Sequence, residues 1–317
     1  MINCNICGGS TTQLKVKEQM MGLKEQFIYH QCSVCGHTHL FPIPPDIGKY
    51  YDTKVYYSFR TDREFAVSGK KSIKLRLKKI LLQLGVKKSF LFSAALKSLM
   101  SVKAMNIESD ILDYGCGAGQ FVEELNSLGF INTKGYDPFL PKDVTRNEKV
   151  YLTNNLNEFK IKHWDIITLN HVFEHLEESI QVLQDLRGLL KDNGKLILRF
   201  PIIDSYAFEK YRENWVQFDA PRHLNIFTRK SIQLAVEKAG GFTIVSMYDD
   251  SFHFQFTGSE LYLKKLSLHP ENNNRKKRLL SLSTYRYHFL AKKLNRQNKG
   301  DQMTIILEKA KLIKFVL

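Results

Sequence analysis

From Asp110 onward the chain alternates short apolar runs with amphipathic stretches, joined by brief glycine turns. ILDYG (111–115) reads as a buried strand. QFVEELNSLG (120–129) reads as an amphipathic helix closed by glycine, because its apolar positions recur at helical spacing. NTKGYD (132–137) and WDIITLN (164–170) give two more strands, and a helix is predicted over HVFEHLEESIQVLQDLRGLL (171–190). DNG then turns into the strand KLILRFP, Thr228 is placed to cap a helix running to Ala239, and GGFTIVSMYDD and DQMTIILEKA read as the last two strands. Repeated βα units with short links predict a mostly parallel, Rossmann-like α/β sheet covered on both faces, with ligands beyond the carboxyl ends of its strands.

The front of the chain follows another rhythm. Residues 1–45 form a small β-rich module that runs into the Pro-rich FPIPPD, and YYDTKVYYSF (50–59) is an aromatic cluster. KKSIKLRLKKILLQL (70–84) places Ile73, Leu77, Ile80, Leu81 and Leu84 on one helical stripe opposite Lys and Arg. Such a helix either docks on the next domain or rests on lipid headgroups. The expected organisation is a module at 1–45, a connector or lid at 46–104 and a main domain at 105–317, with a basic helical insertion at about 260–300.

Composition changes this picture in one respect. The formal charge is +15 over 317 residues, yet ten Lys or Arg and no acid lie between Phe65 and Ile107, and nine and no acid between Asn272 and Gly300. Outside these segments acids slightly outnumber bases, so affinity for phosphates, nucleic acid or anionic lipid is to be sought there. No apolar run reaches the roughly 18 residues of a membrane-spanning helix. MINCNICGGS has no secretory-leader pattern, which points to reduced thiols and a cytoplasmic location, with peripheral contact at the inner face of an anionic membrane as a further expectation.

Four of the five cysteines, Cys4, Cys7, Cys32 and Cys35, fall in two CxxCG knuckles. Two such knuckles can close a tetrahedral zinc site, and four thiolates leave no open coordination position, so a structural zinc is expected, with iron or a redox dithiol as the alternatives. It would supply the stability that a 40-residue core lacks. His30, His37 and His39 are expected at the surface, and Cys116 as a small filler of its turn.

The turn after the first strand reads Asp113, Tyr114, Gly115, Cys116, Gly117, Ala118, Gly119, Gln120. A dinucleotide fingerprint would require glycine where Gln120 stands; GxGxG instead lets bare backbone approach a ligand closely. Asp137 closes the second strand, placed to accept hydrogen bonds from a ribose diol, with Pro138 and Phe139 beside the adenine. Here the sequence resembles the class I S-adenosylmethionine-dependent methyltransferases, over roughly residues 105–310. The resemblance implies that Asp113, Gly115, Gly117 and Gly119 surround the methionine part of S-adenosylmethionine, with Tyr114 in the same cofactor site, that Asp137 holds the ribose, and that the backbone of Asn170 touches the cofactor. The CxxC pairs and the tyrosine-rich segment (Tyr50, Tyr51, Tyr56, Tyr57) resemble a group of bacterial methyltransferases acting on sugars and small molecules, several of them in polysaccharide synthesis. The long extra C-terminal domain of the sugar C-methyltransferases is not matched, which tilts the expectation to oxygen or nitrogen.

Methyl transfer to a hydroxyl needs an aligned acceptor and a base. Three histidines are candidates: His171 and His175, four apart and therefore on one face of the predicted helix with Glu174 beside them, and His223 next to Arg222 in the loop before the Thr228 helix. Some members of the superfamily hold a divalent metal with a related ExxEH, in which His171 here replaces the first Glu. Trp215, Phe218 and Tyr206 could stack on a sugar ring, although aromatic loop residues more often pack. The expected partner is a small-molecule or glycan acceptor, such as a nucleotide sugar. An RNA methyltransferase is the alternative, supported by the pI near 9.4 and opposed by the lack of aromatics among the Lys runs.

Overall fold

The computed structural model describes residues 2–51, 69–87, 89–103, 105–146, 150–159, 163–268 and 282–310. Its strands are β1 (Thr11–Lys17), β2 (Gln26–Cys32), β3 (Thr38–Leu40), β4 (Ile111–Tyr114), β5 (Thr133–Tyr136), β6 (Val144–Arg146), β7 (Val150–Thr153), β8 (Trp164–Asn170), β9 (Leu190–Pro201), β10 (Asn225–Ile226), β11 (Phe242–Asp249) and β12 (Gln302–Lys309). Its α-helices are α1 (Gly69–Gln83), α2 (Ala94–Met100), α3 (Gln120–Leu128), α4 (Ser179–Leu189), α5 (Tyr206–Tyr211), α6 (Arg229–Ala239), α7 (Phe254–Leu263) and α8 (Leu282–Arg296).

Eight strands form one sheet in the order β11-β12-β9-β8-β4-β5-β7-β6. β9, β8, β4, β5 and β7 are parallel, and β12 runs antiparallel between β9 and β11. This is the mostly parallel sheet that the βα rhythm predicts, with the antiparallel last strand that the family resemblance implies. The strands are buried on both faces, and successive residues point to opposite sides. Leu112, Ile167, Leu196, Leu198, Ile305 and Leu307 face the side of α4 and α6, while Ile111, Ile166, Ile197 and Ile306 face α1, α2 and α3. Thr228 caps α6 through a reciprocal pair with Ser231, which fixes where the preceding loop ends.

The N-terminal module is built into this body. Its antiparallel sheet runs β1-β2-β3-β10, so its last strand comes from the main domain. Cys4, Ile6, Cys32 and Cys35 join the core beside α4 and α6, and Val16, Phe27, Tyr29 and Leu40 share a second core with Trp215, Phe218 and Phe256.

Four expectations are corrected. His30, His37 and His39 are buried rather than at the surface, because the β3–β10 pairing turns their face of the module into the body; their rings stack in a row, with His37 against Phe227. The helix over 171–190 begins only at Ser179, and Phe173–His175 form a single 3-10 turn. His171 has φ 55, and the Leu176 and Glu177 carbonyls are taken by the Asn225 side chain instead of by helical N–H groups. His171 and His175 therefore do not share a helical face. Trp215 and Phe218 are buried in the second core, with Trp215 Nε1 donating to Asp301 at 3.0 Å, and cannot stack on a ligand; Tyr206 is half-buried against the same core. Finally, α1 forms but docks by another face. Leu75, Leu81 and Leu82 pack on the core, Lys78 is buried in an ion pair with Glu124 of α3, and Ile73, Leu77, Ile80 and Leu84 stay exposed. Leu81 alone of the expected stripe packs inward, and the Lys78–Glu124 pair lies on this docked face.

Candidate active site

The carboxyl ends of β4, β5, β8 and β9 converge where the sheet order places β4 between β5 and β8. After β4, Gly115, Gly117 and Gly119 all have positive φ, at 77°, 53° and 78°. A Cβ at Gly115 would lie 2.4 Å from Val172, and one at Gly119 the same distance from Leu152, so the turn tolerates no side chain at either place. Gly115 N and Cys116 N both donate to the Tyr136 carbonyl, at 2.7 and 3.0 Å.

Asp137 secures the turn from the next strand. Its Oδ2 accepts from Gly117 N at 2.8 Å and its Oδ1 from Phe139 N at 3.0 Å. A carboxylate has about four lone-pair sites, so each oxygen keeps capacity for a hydroxyl. Asp113 is buried between β4 and β8; its Oδ1 accepts from Thr168 Oγ1 at 2.7 Å and Asn170 Nδ2 at 3.3 Å. Burial pushes its carboxyl up to about 6, against those two hydrogen bonds. Asn170 Oδ1 is buried with no partner among the described residues, an acceptor suited to an ammonium group. These residues fit an adenosyl amino acid: an acceptor beside Asp113 for its ammonium, a diol acceptor in Asp137, and Pro138 and Phe139 exposed beside it for the base. The Tyr114 and Tyr136 rings pack 4.9 Å apart beneath the turn.

Beyond β8 the three candidate histidines surround Glu174, which is fully buried. Each tautomer follows from its partners, since a carbonyl only accepts and a guanidinium only donates. His171 Nε2 faces Arg199 Nη1 at 2.9 Å, so Nδ1 carries the proton and donates to Glu174 Oε1 at 3.3 Å. Both nitrogens are committed. His223 Nδ1 donates to the Gln217 carbonyl at 2.8 Å, and burial pushes this imidazole down to about 4 although Glu174 and Asp219 each lie 3.8 Å from its Nε2. It is neutral and sealed at neutral pH. His175 Nδ1 donates to the Arg222 carbonyl at 2.8 Å, leaving Nε2 with its lone pair, and the residue is only half-buried. Its ring meets His223 edge-on at 4.8 Å. Burial alone would raise the Glu174 carboxyl, but the His171 hydrogen bond and the surrounding imidazoles hold it at about 2. Its Oε2 has no partner among the described residues, and Glu174, His175 and His223 offer ligand atoms within 4.8 Å of one another.

Tyr51, foreseen only as part of the aromatic segment, ties this cluster to the glycine turn. Its hydroxyl donates to the Arg222 carbonyl at 3.2 Å and lies 3.2 Å from His175 Nδ1, while its ring stacks on Phe139 at 6.1 Å. Tyr56 and Tyr57 lie outside the described residues. Arg222, fully buried, pairs with Asp219 through Nη2 and Nε, donates to the Tyr50 carbonyl at 3.2 Å and lies 3.6 Å from Glu18 of the module. Glu18 is itself fixed by the N–H groups of Met21, Gly22 and Leu23. Glu18 carried no sequence signal beyond being an acid, because Arg222 is distant in the chain, and Asp219, three residues before Arg222, was not singled out.

The four module cysteines come together. Cys4 and Cys35 sulfurs are 3.6 Å apart, Cys7 and Cys32 3.4 Å, and all four lie within 4.8 Å of one another. Tetrahedral zinc with bonds of about 2.3 Å sets sulfurs roughly 3.8 Å apart, so the set fits that metal. Val34 N and Cys35 N point at Cys32 Sγ, at 3.4 and 3.5 Å, as thiolate donors do. The knuckle also reaches the site: Thr228 Oγ1 donates to the Cys35 carbonyl at 2.6 Å, and Tyr29 Oη to the His223 carbonyl at 2.9 Å.

Comparison with known proteins gives the following. A family model described as a methyltransferase domain matches residues 77–247, a little over half of the chain. No curated protein matches. Among solved structures, a SAM dependent methyltransferase from Archaeoglobus fulgidus is 19% identical with a TM-score of 0.41, covering 80% of this chain and 100% of its own. An S-adenosylmethionine dependent methyltransferase from Mesorhizobium loti is 12% identical with a TM-score of 0.39, over 64% and 93%. The cyclopropane synthase MmaA2 from Mycobacterium tuberculosis is 17% identical with a TM-score of 0.41, over 84% and 94%. At such scores no acceptor or reaction type is carried over from them. No helix among the described residues is long and apolar enough to cross a membrane.

Proposed function

The chain belongs to the family of methyltransferase domains, and from that premise we propose that it methylates a hydroxyl of a small or glycan-linked acceptor, with His175 as general base. When bound, S-adenosylmethionine supplies a sulfonium-activated methyl group. The chain's part is to seat that donor with the glycine turn, Asp137 and Asn170, to align the acceptor oxygen, and to receive the acceptor's proton on His175 Nε2 as the new carbon–oxygen bond forms. The observation that carries this reading is the Nδ1–H bond from His175 to the Arg222 carbonyl, which fixes the tautomer and leaves Nε2 unprotonated. Buried Glu174 and largely buried Asp219 are acids close to this ring. Asp219 is held at about 2, burial being outweighed by the Arg222 guanidinium. His171 and His223 act as positioning residues, the first for Glu174 and the second for the loop that carries Arg222.

Incubation with methyl-labelled donor and an extract of the source cells, separated into RNA, lipid-linked and soluble pools, tests the acceptor class. Label in the soluble or lipid-linked pool is expected; label confined to RNA contradicts the proposal and favours the alternative. A second reading is favoured by the unpartnered Glu174 Oε2: a divalent metal held by Glu174, His175 and His223. Added magnesium or manganese leaves turnover unchanged under the general-base reading and raises it under the second.

Zinc in the knuckles is part of the proposal. Elemental analysis is expected to find one zinc per chain, and Cys32→Ser to lose it. Structural zinc contributes on the order of 10 kcal/mol to small modules, and the knuckle is bonded to Thr228 and, through β3 and β10, to the segment after His223. Cys32→Ser should therefore abolish methyl transfer while the donor turn, on β4 and β5, still binds S-adenosylmethionine. Full activity of a zinc-free protein would contradict this role.

A further inference from the structure

We propose that the outer face of α1 is a docking surface for an anionic phospholipid bilayer. Ile73, Leu77, Ile80 and Leu84 recur at spacings of four, three and four residues and are 61%, 45%, 50% and 72% exposed. They form an apolar stripe two turns and more in length that no described residue covers, with Lys74, Arg76 and Lys79 exposed along it and Phe90, 92% exposed, just beyond its end. The helix is held rigidly in this orientation, since Leu75 and Leu82 pack in the core and Lys78 pairs with Glu124 behind it. A soluble protein gains nothing by turning four large aliphatic side chains outward while burying a lysine, so the stripe is shaped for a partner.

Charge identifies the partner. The segment from Phe65 to Ile107 has ten cations and no acid. The stripe's spacing is that of a coiled-coil seam, but in a pair of copies Lys74 and Arg76 would flank the seam on both helices and repel, which disfavours self-association. RNA would meet four aliphatic side chains along α1, which offer no face on which bases stack, so stacking would be left to Phe90 and to the aromatic pair of α8 described below. An anionic bilayer satisfies both features: the aliphatic side chains enter the acyl boundary while the Lys and Arg heads rise to the phosphates. A second helix carries a similar face. α8 exposes Tyr285 and Phe289, paired edge-on at 4.9 Å, beside Arg286, Lys292, Lys293 and Arg296, and aromatic side chains suit the headgroup level. α2 shares the core of α1, and its Lys97 feels the charge of Lys292 on α8.

The test is co-sedimentation of the full zinc-loaded chain with vesicles of phosphatidylcholine alone and of phosphatidylcholine mixed with an equal part of phosphatidylglycerol. Binding is expected only to the mixed vesicles and weakened by salt. The double variant Leu77→Gln/Ile80→Gln, at exposed positions, should lower that binding about tenfold or more while leaving S-adenosylmethionine affinity, measured on the same preparation, unchanged. Absence of vesicle binding, or binding indifferent to the double variant, overturns the proposal. So does binding of a random-sequence RNA that the variant weakens equally, or a dimer in sedimentation equilibrium that the variant disperses.

Discussion

His175→Ala is expected to lower turnover by about a hundredfold to ten-thousandfold, the range of a lost general base, with S-adenosylmethionine affinity nearly unchanged. The residue sits across from the glycine turn and contributes no group to it; its Nδ1–H is committed to the Arg222 carbonyl, and Nε2 is the nitrogen left to act. His175→Asn sharpens the test, because its amide can still donate toward that carbonyl but offers no basic nitrogen. Equal activity of the alanine and wild-type enzymes would remove His175 from the reaction. His223→Ala should act differently: losing the buried ring and its Nδ1–H bond to Gln217 O loosens the loop and lowers stability along with rate. A clean rate effect for His223 with none for His175 would exchange their roles.

The second large effect is at the donor. Asp137→Ala removes the diol acceptor and both loop bonds from Gly117 N and Phe139 N. Hydrogen bonds to a charged group contribute roughly 1.5–3 kcal/mol each, so two lost to the ribose predict a fall in affinity of about a hundredfold or more. Asp137→Asn keeps one accepting oxygen and should fall between. Because the carboxylate also braces the turn, circular dichroism and the melting temperature of each variant are the control; Asp137→Ala retaining wild-type affinity in calorimetry would take the ribose away from this residue.

The parts of the molecule that were legible in the sequence are those set by local spacing. The glycine turn shows because bare backbone at fixed offsets after an apolar run has few other uses, and the structure gives all three glycines positive φ. The order of βα units follows from periodicity and short links, and the antiparallel last strand from the family resemblance. The four cysteines declare themselves by the CxxC repeat, and their sulfurs do meet. What stayed hidden depends on residues distant in sequence. The HVFEH segment has helical spacing, yet Asn225 takes the carbonyls that a helix would use. The stripe of α1 pointed to one docking face, and the helix packs by another, where Leu75 and Leu82 meet the core and Lys78 meets Glu124 of α3. The candidate base is aimed by a main-chain carbonyl at Arg222, which in turn is held by Asp219 and by Glu18 from the module. A backbone carbonyl carries no sequence signature, so the choice of His175 over His171 and His223 needed the structure.

The seating of the donor is tested most directly by isothermal calorimetry of the zinc-loaded wild-type chain with S-adenosylmethionine. Saturable binding with one site per chain, lost in Asp137→Ala, is the predicted result. A folded, metal-replete protein that takes up no donor even when the ligand is in large excess would contradict it.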